Sequence, residues 1–180
     1  MRLSIVLCCA FLLAACSTPV HPPLPTGDSG PYRLDSGDKI RVIVYGEQTL
    51  STDYAVGDNG SISIPMVGEI TARAKTVAEL RSEVADRLKK ILVNPSVSVE
   101  IIEYRPFFIV GEVGKPGEYP FRSGLNVLAA VAMAGGFTVR ADQDRLTVVR
   151  NVDGHPSEWS ASRLSDLRPG DLVVVPERFF

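Results

Sequence analysis

The first candidate for chemistry is a glycine-rich run that ends in a lysine, Gly111-Glu112-Val113-Gly114-Lys115-Pro116. A phosphate-binding loop follows its lysine with serine or threonine and opens a helix, whose free N–H groups bind the phosphate. Here the glycine spacing differs, no hydroxyl residue follows Lys115, and Pro116 blocks the helix. The run therefore predicts no nucleotide site.

Ionisable side chains offer no better reaction centre. His21 and His155 have no second histidine or cysteine positioned to share a metal, so we expect both to be solvated. Asp35 and Asp38 are spaced like paired carboxylates, but in a Ser-Gly-Asp context such groups usually bond the turn backbone. No serine has a histidine partner by motif, so a hydrolase triad lacks support. We infer a protein that is not an enzyme, with no catalytic residue, metal or cofactor.

A lone tryptophan, Trp159, is the remaining candidate for ligand contact. An indole can stack on a sugar ring, but a single tryptophan more often packs in a core, because it buries a large apolar surface. Packing is therefore the expected role of Trp159, and sugar contact is the alternative.

One cysteine has a context that predicts covalent modification. Residues 1–15 begin with Met1-Arg2 and continue as a short apolar run, which is typical of a secretory signal peptide and too short to span a bilayer. Leu13-Ala14-Ala15-Cys16 resembles a lipobox, which implies that Cys16 becomes the lipidated first residue. Because serine rather than aspartate follows Cys16, the resemblance implies an outer-membrane lipoprotein that faces the periplasm. The alternative is an ordinary signal peptide that holds a cysteine.

Composition limits the remaining classes of protein. The net charge is −2 and the isoelectric point is near 5.7, so the sequence predicts no nucleic-acid partner. Removal of residues 1–15 leaves 165 of the 180 residues, enough for one medium domain or two small ones. Cys8 and Cys9 would leave with the signal peptide, so we expect no disulfide.

The mature chain opens with a linker and a first group of strands. Residues 16–31 hold five prolines and predict an extended spacer of polyproline II type between the lipid and the fold. Alternating apolar residues predict strands at residues 40–44, 62–64, 67–70 and 97–101. A helix is predicted over residues 76–92, opened by a Thr76/Glu79 capping box and stopped by Pro95.

A second group of elements follows Tyr104-Arg105-Pro106, which we interpret as a joint. Strands are predicted at residues 107–113, 119–121, 146–149 and 172–175, with a type II turn at residues 115–118. Asn126 is the expected cap of a helix that Gly135-Gly136 ends. The sequence contains a weak internal repeat, because Gly37-Asp38 and Gly170-Asp171 each precede a strand that is predicted to be buried.

In this order the pieces resemble the short form of the outer-membrane polysaccharide export family, which is Wza-like. The match to its export domain consists of Tyr32-Arg33-Leu34-Asp35-Ser36-Gly37-Asp38, Gly57-Asp58-Asn59-Gly60-Ser61-Ile62, Pro65-x-x-Gly68, Thr76-x-x-Glu79-Leu80 and Asn94-Pro95-x-Val97-x-Val99. The match to an SLBB domain consists of Val110-Gly111-x-Val113, Pro116-Gly117-x-Tyr119 and Ala134-Gly135-Gly136. The resemblance predicts an α+β protein of two small mixed modules: an export domain over residues 32–104 and a β-grasp-like SLBB domain over residues 105–180.

The resemblance also implies a function in exporting capsule or exopolysaccharide. It implies a homo-oligomeric ring that forms a conduit, a polysaccharide as substrate, and an inner-membrane polysaccharide co-polymerase as partner. The chain has one SLBB-like module, not two, and ends at Phe180 without the C-terminal amphipathic helix of long members. We therefore expect no pore of its own and a separate outer-membrane β-barrel as a candidate partner. The alternative is a lipid-anchored β-grasp module that binds a soluble carbohydrate or cell-wall ligand without forming a conduit.

Overall fold

The computed structural model describes residues 21–25, 30–152 and 154–178. Cys16, the predicted signal peptide and Phe180 lie outside these described residues. No helix within the described ranges is long and apolar enough to cross a membrane. The elements in the described part of the chain are ten strands, two α-helices and one short 3-10 helix, Gln48–Leu50, which confirms the predicted α+β class.

A three-stranded antiparallel sheet forms the centre of the first module. Its middle strand β1, Lys39–Val44, pairs with β2, Thr52–Ala55, on one side and with β5, Val97–Glu103, on the other. Successive β1 side chains alternate between exposed and buried, as the sequence predicted. Strand β2 is absent from the predictions, because only Tyr54 of its residues is buried and the rest have the composition of a loop.

A two-stranded hairpin contributes to the same core. It consists of β3, Ser61–Ile64, and β4, Gly68–Thr71, in antiparallel register. The isoleucines of both strands, Ile62, Ile64 and Ile70, are buried in the core of the first module. A turn precedes β3, in which the Gly60 N–H donates to the Gly57 carbonyl at 2.8 Å.

Helix α1, Val77–Leu88, completes the first module and begins at the predicted capping box. The Thr76 hydroxyl accepts from the Glu79 N–H at 3.2 Å, and the Glu79 carboxylate accepts from the Thr76 N–H at 2.7 Å. The predicted end at residue 92 is wrong. The chain tightens after Leu88 into i→i−3 bonds, which leave Ile91 exposed while Leu92 packs on the core.

The second module is built on a five-stranded mixed sheet. Its strands are β6, Phe107–Gly111; β7, Gly117–Tyr119; β8, Leu146–Val152; β9, His155–Ala161; and β10, Leu172–Val175. Their order is β7-β6-β10-β8-β9, with β6 and β10 parallel and the other pairs antiparallel. Helix α2, Val127–Met133, supplies Val127, Ala130 and Val131 to the core of this module.

Both ends of α2 follow the sequence prediction. The Asn126 side chain accepts from the Ala129 N–H at 2.9 Å and caps the first turn. At the other end the Gly136 N–H donates to the Val131 carbonyl, and the Gly135 N–H donates to the Ala132 carbonyl. This pair of bonds is a Schellman motif, and both glycines have a positive φ, of 83° and 85°.

The sequence predictions differ from the structure at three further places. Residues 115–118 form no type II turn, because Gly117 is extended and begins β7. Strand β9, which begins at His155, is absent from the predictions, because its sequence is mostly polar. Residues 21–25 of the predicted spacer are not free, because Leu24 is buried in the core of the second module.

Candidate functional site

The joint between the modules carries the main concentration of buried charge among the described residues. Strand β5 ends at Glu103 and β6 begins at Phe107, so residues 104–106 alone carry the chain across. Asp38, which ends the turn before β1, is completely buried at this point. A buried carboxylate requires hydrogen-bond donors on its oxygens, and the joint supplies them.

Four groups donate to the Asp38 carboxylate. The Tyr32 hydroxyl donates to both oxygens at 2.9 and 2.7 Å, and the Asp35 N–H donates at 2.8 Å. From the far side of the joint come the Arg105 N–H at 2.8 Å and the Arg105 Nη1 at 3.4 Å. The same guanidinium donates to the Tyr32 oxygen at 2.8 Å, which closes a three-residue network. Asp38 therefore fixes the start of the second module onto the first.

A second Gly-Asp turn repeats this arrangement in the second module. Asp171 is 1% exposed and accepts from Arg150 Nε at 2.8 Å and Nη2 at 2.7 Å. The Arg168 N–H donates to Asp171 at 2.7 Å, as the Asp35 N–H donates to Asp38. The weak internal repeat of the sequence thus corresponds to two turns with the same local structure. In each turn an arginine side chain binds the buried aspartate.

The two turns meet on Arg105. A Cβ on Gly37 would lie 3.3 Å from Arg105 Cβ, and one on Gly170 would lie 2.7 Å from Arg105 Nε. Both glycines also have a positive φ, of 91° and 83°. Glycine is therefore required at Gly170 for two reasons, the backbone conformation and the close passage of the guanidinium.

A cleft of about 740 Å³ opens beside this joint. Three aromatic rings stand along it, with edge-to-face contacts of 5.1 Å between Tyr32 and Tyr104 and 5.7 Å between Tyr104 and Phe121. The charged residues of its lining are four arginines and three aspartates, so their charges nearly cancel: Arg33, Arg105, Arg150, Arg168, Asp35, Asp166 and Asp171. Aromatic edges beside paired polar groups are a surface on which a neutral or weakly charged sugar could lie.

The carboxylates of the joint are structural rather than catalytic. Burial opposes ionisation of Asp35, but the Ser36 N–H, Arg73 and Arg105 together hold its pKa below the usual value. Burial raises the pKa of Tyr32, so its hydroxyl stays protonated and continues to donate. Asp35 and Asp38 bind turn backbone and cations, as the sequence predicted, and neither resembles a proton donor poised for catalysis.

The glycine-rich run at residues 111–116 faces the end of α2. The Gly114 N–H donates to the Gly136 carbonyl at 2.9 Å, and the Lys115 N–H donates to the Ala134 carbonyl at 2.7 Å. A Cβ on Gly111 would lie 2.0 Å from the Val175 carbonyl oxygen. These glycines therefore serve close packing between backbone segments, and the N–H groups that a phosphate would need are already bonded.

The remaining candidates lie apart from the joint. His21 is half-buried, with its Nε2 3.3 Å from Glu158, so the expectation of a solvated side chain is wrong for it. His155 is exposed, as expected. Trp159 packs against the second core, and its buried indole nitrogen has no hydrogen-bond partner among the described residues. Within the described ranges no group of His, Cys, Asp or Glu could hold a metal ion.

Sequence reasoning located the joint but missed what holds it. Arg105 and Asp38 are 67 positions apart, and Arg150 and Asp171 are 21 apart, so no local pattern links the partners. The repeated Gly-Asp turn was the available signal. It marks the two aspartates that the fold buries.

Comparison with protein families separates the same two modules. Residues 26–102 match the model described as polysaccharide biosynthesis/export protein, and residues 106–159 match the model of the SLBB domain. The unmatched residues between the two models, 103–105, include two residues of the joint, Tyr104 and Arg105.

Individual relatives agree with this assignment. The chain is 43% identical over 171 residues to the exopolysaccharide production protein ExoF of Rhizobium meliloti (strain 1021), which covers 81% of this chain and 40% of ExoF. It is 26% identical over 186 residues to the EPS I polysaccharide export outer membrane protein EpsA of Ralstonia nicotianae, with 82% and 48% covered. It is 29% identical over 136 residues to the capsule polysaccharide export outer membrane protein CtrA of Neisseria meningitidis serogroup A, with 72% and 35% covered.

The chain spans less than half the length of these curated relatives. The relatives carry names of export and production proteins rather than of enzymes, in agreement with the non-enzymatic character inferred from the residues. With both domain models matched in the predicted order on an α+β fold, the chain belongs to the Wza-like polysaccharide biosynthesis/export family.

Proposed function

We propose that this protein is an outer-membrane-anchored component of a polysaccharide export system, faces the periplasm, and forms part of an oligomeric conduit for capsule or exopolysaccharide. The observation that carries the proposal is the export domain followed directly by an SLBB domain. The names of the relatives EpsA and CtrA, both polysaccharide export outer membrane proteins, support the same system and location.

The properties of the joint suit a conduit wall. A wall must keep its modules in fixed relative positions while polymer passes, and it needs no reacting group. The Asp38–Arg105 pair joins the two modules across the joint, and the buried Asp171–Arg150 pair holds the second Gly-Asp turn against β8 within the second module. Buried charge pairs resist separation, because parting them leaves an uncompensated charge in a poorly solvated place.

Cys16 is the proposed attachment point to the membrane. Its lipobox context predicts a thioether-linked lipid, and several acyl chains together give stable anchoring at about 0.8 kcal/mol per buried CH₂. The expected result is that Cys16→Ser releases the folded protein from the outer-membrane fraction. Continued recovery of Cys16→Ser with that fraction would contradict the anchor.

The outer face of the second sheet is a candidate contact between subunits. Phe108 on β6 and Leu172 on β10 are adjacent there, as are Val110 and Val174, with Phe108 41% and Val110 39% exposed. An apolar patch of this kind is a usual mark of a protein interface.

An inner-membrane polysaccharide co-polymerase is the proposed second partner.

Mass measurement of the purified lipidated protein in detergent tests the assembly. We expect an oligomer that Val110→Glu weakens, because the new carboxylate would be desolvated in the contact. Val139→Glu, at a valine that is 91% exposed, is the matched control and should leave the mass unchanged. A monomer at every protein concentration would contradict the conduit.

The cleft at the joint favours a second candidate function, a lipid-anchored module that binds a soluble carbohydrate without forming a conduit. Its aromatic edges and paired polar groups are the supporting observation. Titration calorimetry with oligosaccharides of the native polymer separates the two candidates. Tight binding by a monomer would favour the second candidate, and a non-binding oligomer would favour the conduit.

A further inference from the structure

The edges of the second sheet are protected against pairing with another chain. At one edge, residues 21–25 lie along β9: the Leu24 N–H donates to the Ser160 carbonyl at 2.8 Å, and the Ser160 N–H donates to the Pro22 carbonyl at 2.8 Å. Three of these five residues are prolines, which have no N–H for a further strand. At the other edge, β7 has only three residues and is flanked by a proline on each side. Short strands and prolines keep a sheet edge from pairing.

Strand β5 is an edge strand of the first sheet that lacks this protection. Just before it, the Ser96 carbonyl accepts from the Tyr45 N–H at 2.9 Å, so the backbone groups of Ser96 face β1. Backbone groups alternate in direction along a strand, so those of Val97, Val99 and Ile101 face away from β1. Within the described part of the chain, β5 has no strand on that side. It contains neither proline nor lysine, and its register with β1 is regular from Val97 to Ile101.

Strand β2 leaves the opposite edge of the same sheet open. Directly after it, the Val56 N–H donates to the Asp38 carbonyl at 2.8 Å, so by the same alternation the backbone groups of Asp53 and Ala55 face away from β1. Both residues are exposed, and no strand of the described ranges pairs with β2 on that side. Strands β2 and β5 are both antiparallel to β1, so the two open edges run in the same direction.

We propose that β5 of one copy of this chain pairs in parallel with β2 of the next copy, so that the first sheet continues from subunit to subunit. The proposal rests on the proposed oligomeric conduit. In a ring, each copy presents one surface to a different surface of its neighbour, and rotation about the ring axis preserves the axial direction of every strand. Two open edges with the same direction meet this requirement. Pairing of β5 with a second β5 would need a two-fold axis and would end the assembly at two copies.

The registers within the sheet indicate which residues meet at this contact. Arg41 of β1 is opposite both Asp53 of β2 and Glu100 of β5, so the last two lie at the same height along the strands. Two residues nearer to the joint, Ala55 and Ile102 are nearly level, because the bulge in β5 shifts the register there. Both are exposed. A neighbour at the same height therefore brings its Ala55 beside Ile102.

Disulfide formation between introduced cysteines tests the contact in the lipidated protein in detergent. Cys16 is the only cysteine expected in the mature chain, and the proposed lipid occupies its sulfur, so Ala55→Cys with Ile102→Cys adds the only two thiols. Within one chain these positions are two strands apart, roughly 9–10 Å, whereas a disulfide needs Cα atoms within about 7 Å. A disulfide in the double variant must therefore join two copies.

Oxidation of the double variant should give a ladder of bands that ends at the size of the closed ring. Each single variant and the unaltered protein should give no crosslinked band, because head-to-tail pairing brings different positions together. Dimers from Ile102→Cys alone would indicate β5–β5 pairing and would overturn the proposal. The absence of a ladder from the double variant would also overturn it.

A proline at the same edge gives an independent test. Ala55→Pro removes an N–H that faces away from β1, so it preserves the pairing of β1 with β2 but blocks β5 of the next copy. We expect it to raise the protein concentration at which the oligomer dissociates by at least roughly tenfold. Ala55→Thr keeps the N–H and favours a strand, so this matched control should assemble normally. Equal assembly of the two variants would contradict edge pairing.

The mass of the unaltered protein separates failure of this contact from failure of the conduit. A monomer at every protein concentration contradicts both proposals. An oligomer whose double variant forms no disulfide ladder, and whose Ala55→Pro variant assembles normally, contradicts only the β5–β2 contact. The outer face of the second sheet would then remain the candidate contact between subunits.

Discussion

Removal of the buried carboxylate at the joint is the change from which we expect the largest loss of stability. Asp38→Ala leaves the Tyr32 hydroxyl, the Asp35 N–H and the Arg105 N–H and guanidinium without their common acceptor. The groups cannot re-pair with each other, because apart from the tyrosine oxygen they are all donors. The carboxylate is completely buried, so water does not reach its site in the folded protein without movement of the turn.

The magnitude follows from the partners left behind. An unsatisfied buried polar group costs about 1–3 kcal/mol, and breaking one side of a buried ion pair costs about 3–5 kcal/mol. The Arg105 side chain is 24% exposed, so water can hydrate part of it when the carboxylate is removed. We therefore expect the free energy of unfolding to fall by about 3–5 kcal/mol, rather than by the sum of the costs of all the unsatisfied groups. A typical domain unfolds at about 5–15 kcal/mol, so the loss is a large fraction of the total.

Urea unfolding of the mature chain carrying Cys16→Ser measures this loss. Far-UV circular dichroism follows both modules, whereas fluorescence of the single tryptophan, Trp159, follows only the second module. Without Asp38→Ala, we expect the two probes to report the same urea midpoint. In Asp38→Ala, we expect the midpoint by dichroism to lie at a lower urea concentration than the midpoint by fluorescence. Asp53→Ala, an exposed aspartate that pairs with Arg41 at 2.7 Å, is the control and should change little. A loss for Asp38→Ala no greater than for Asp53→Ala would refute the account of the joint.

Three further changes test neighbouring parts of the structure. Gly170→Ala should lower the melting temperature, since the added Cβ meets Arg105 Nε at 2.7 Å and φ is 83°; an unchanged value would remove the argument for glycine there. Gly135→Val should cost more than about 1 kcal/mol of stability, because a β-branched residue is strained at positive φ, and denaturant titration measures it. The lowered pKa of Asp35 means that its stabilising ionised form is complete above the ordinary aspartate pKa of about 3.9 and is lost as pH falls through the lower folded value. Asp35→Asn should therefore flatten the fall of stability below about pH 4, and an identical acid profile would contradict the assignment.

The sequence predicted best those features whose causes are local. The Thr76–Glu79 capping box, the Asn126 cap and the Gly135-Gly136 helix stop each involve residues within a few positions of one another, and all three are present. The sequence also predicted the alternation of exposed and buried side chains in β1, because one face of that strand is buried and the other is exposed. Such signals lie within one helix or strand, and they can be recognised without knowing which other elements it packs against.

Features set by distant partners were missed. Strand β9 reads His-Pro-Ser-Glu-Trp-Ser-Ala and gains strand geometry from its hairpin pairing with β8, not from an apolar pattern of its own. Residues 21–25 have the sequence of a proline-rich spacer. Leu24 nevertheless packs in the core of the second module, and the backbone of the segment forms hydrogen bonds with the free edge of β9. At the joint, Asp38 was identified as a turn residue, but its cation lies 67 positions away.

Surface polysaccharide in a strain that lacks the gene tests the export function most directly. We expect the deletion strain to show no capsule or exopolysaccharide at its surface by antibody or lectin labelling. Restoring the gene should return the polymer, and restoring it with Cys16→Ser should return much less, because Cys16 is the proposed attachment point to the membrane. Normal surface polymer in the deletion strain would contradict the proposed role in export.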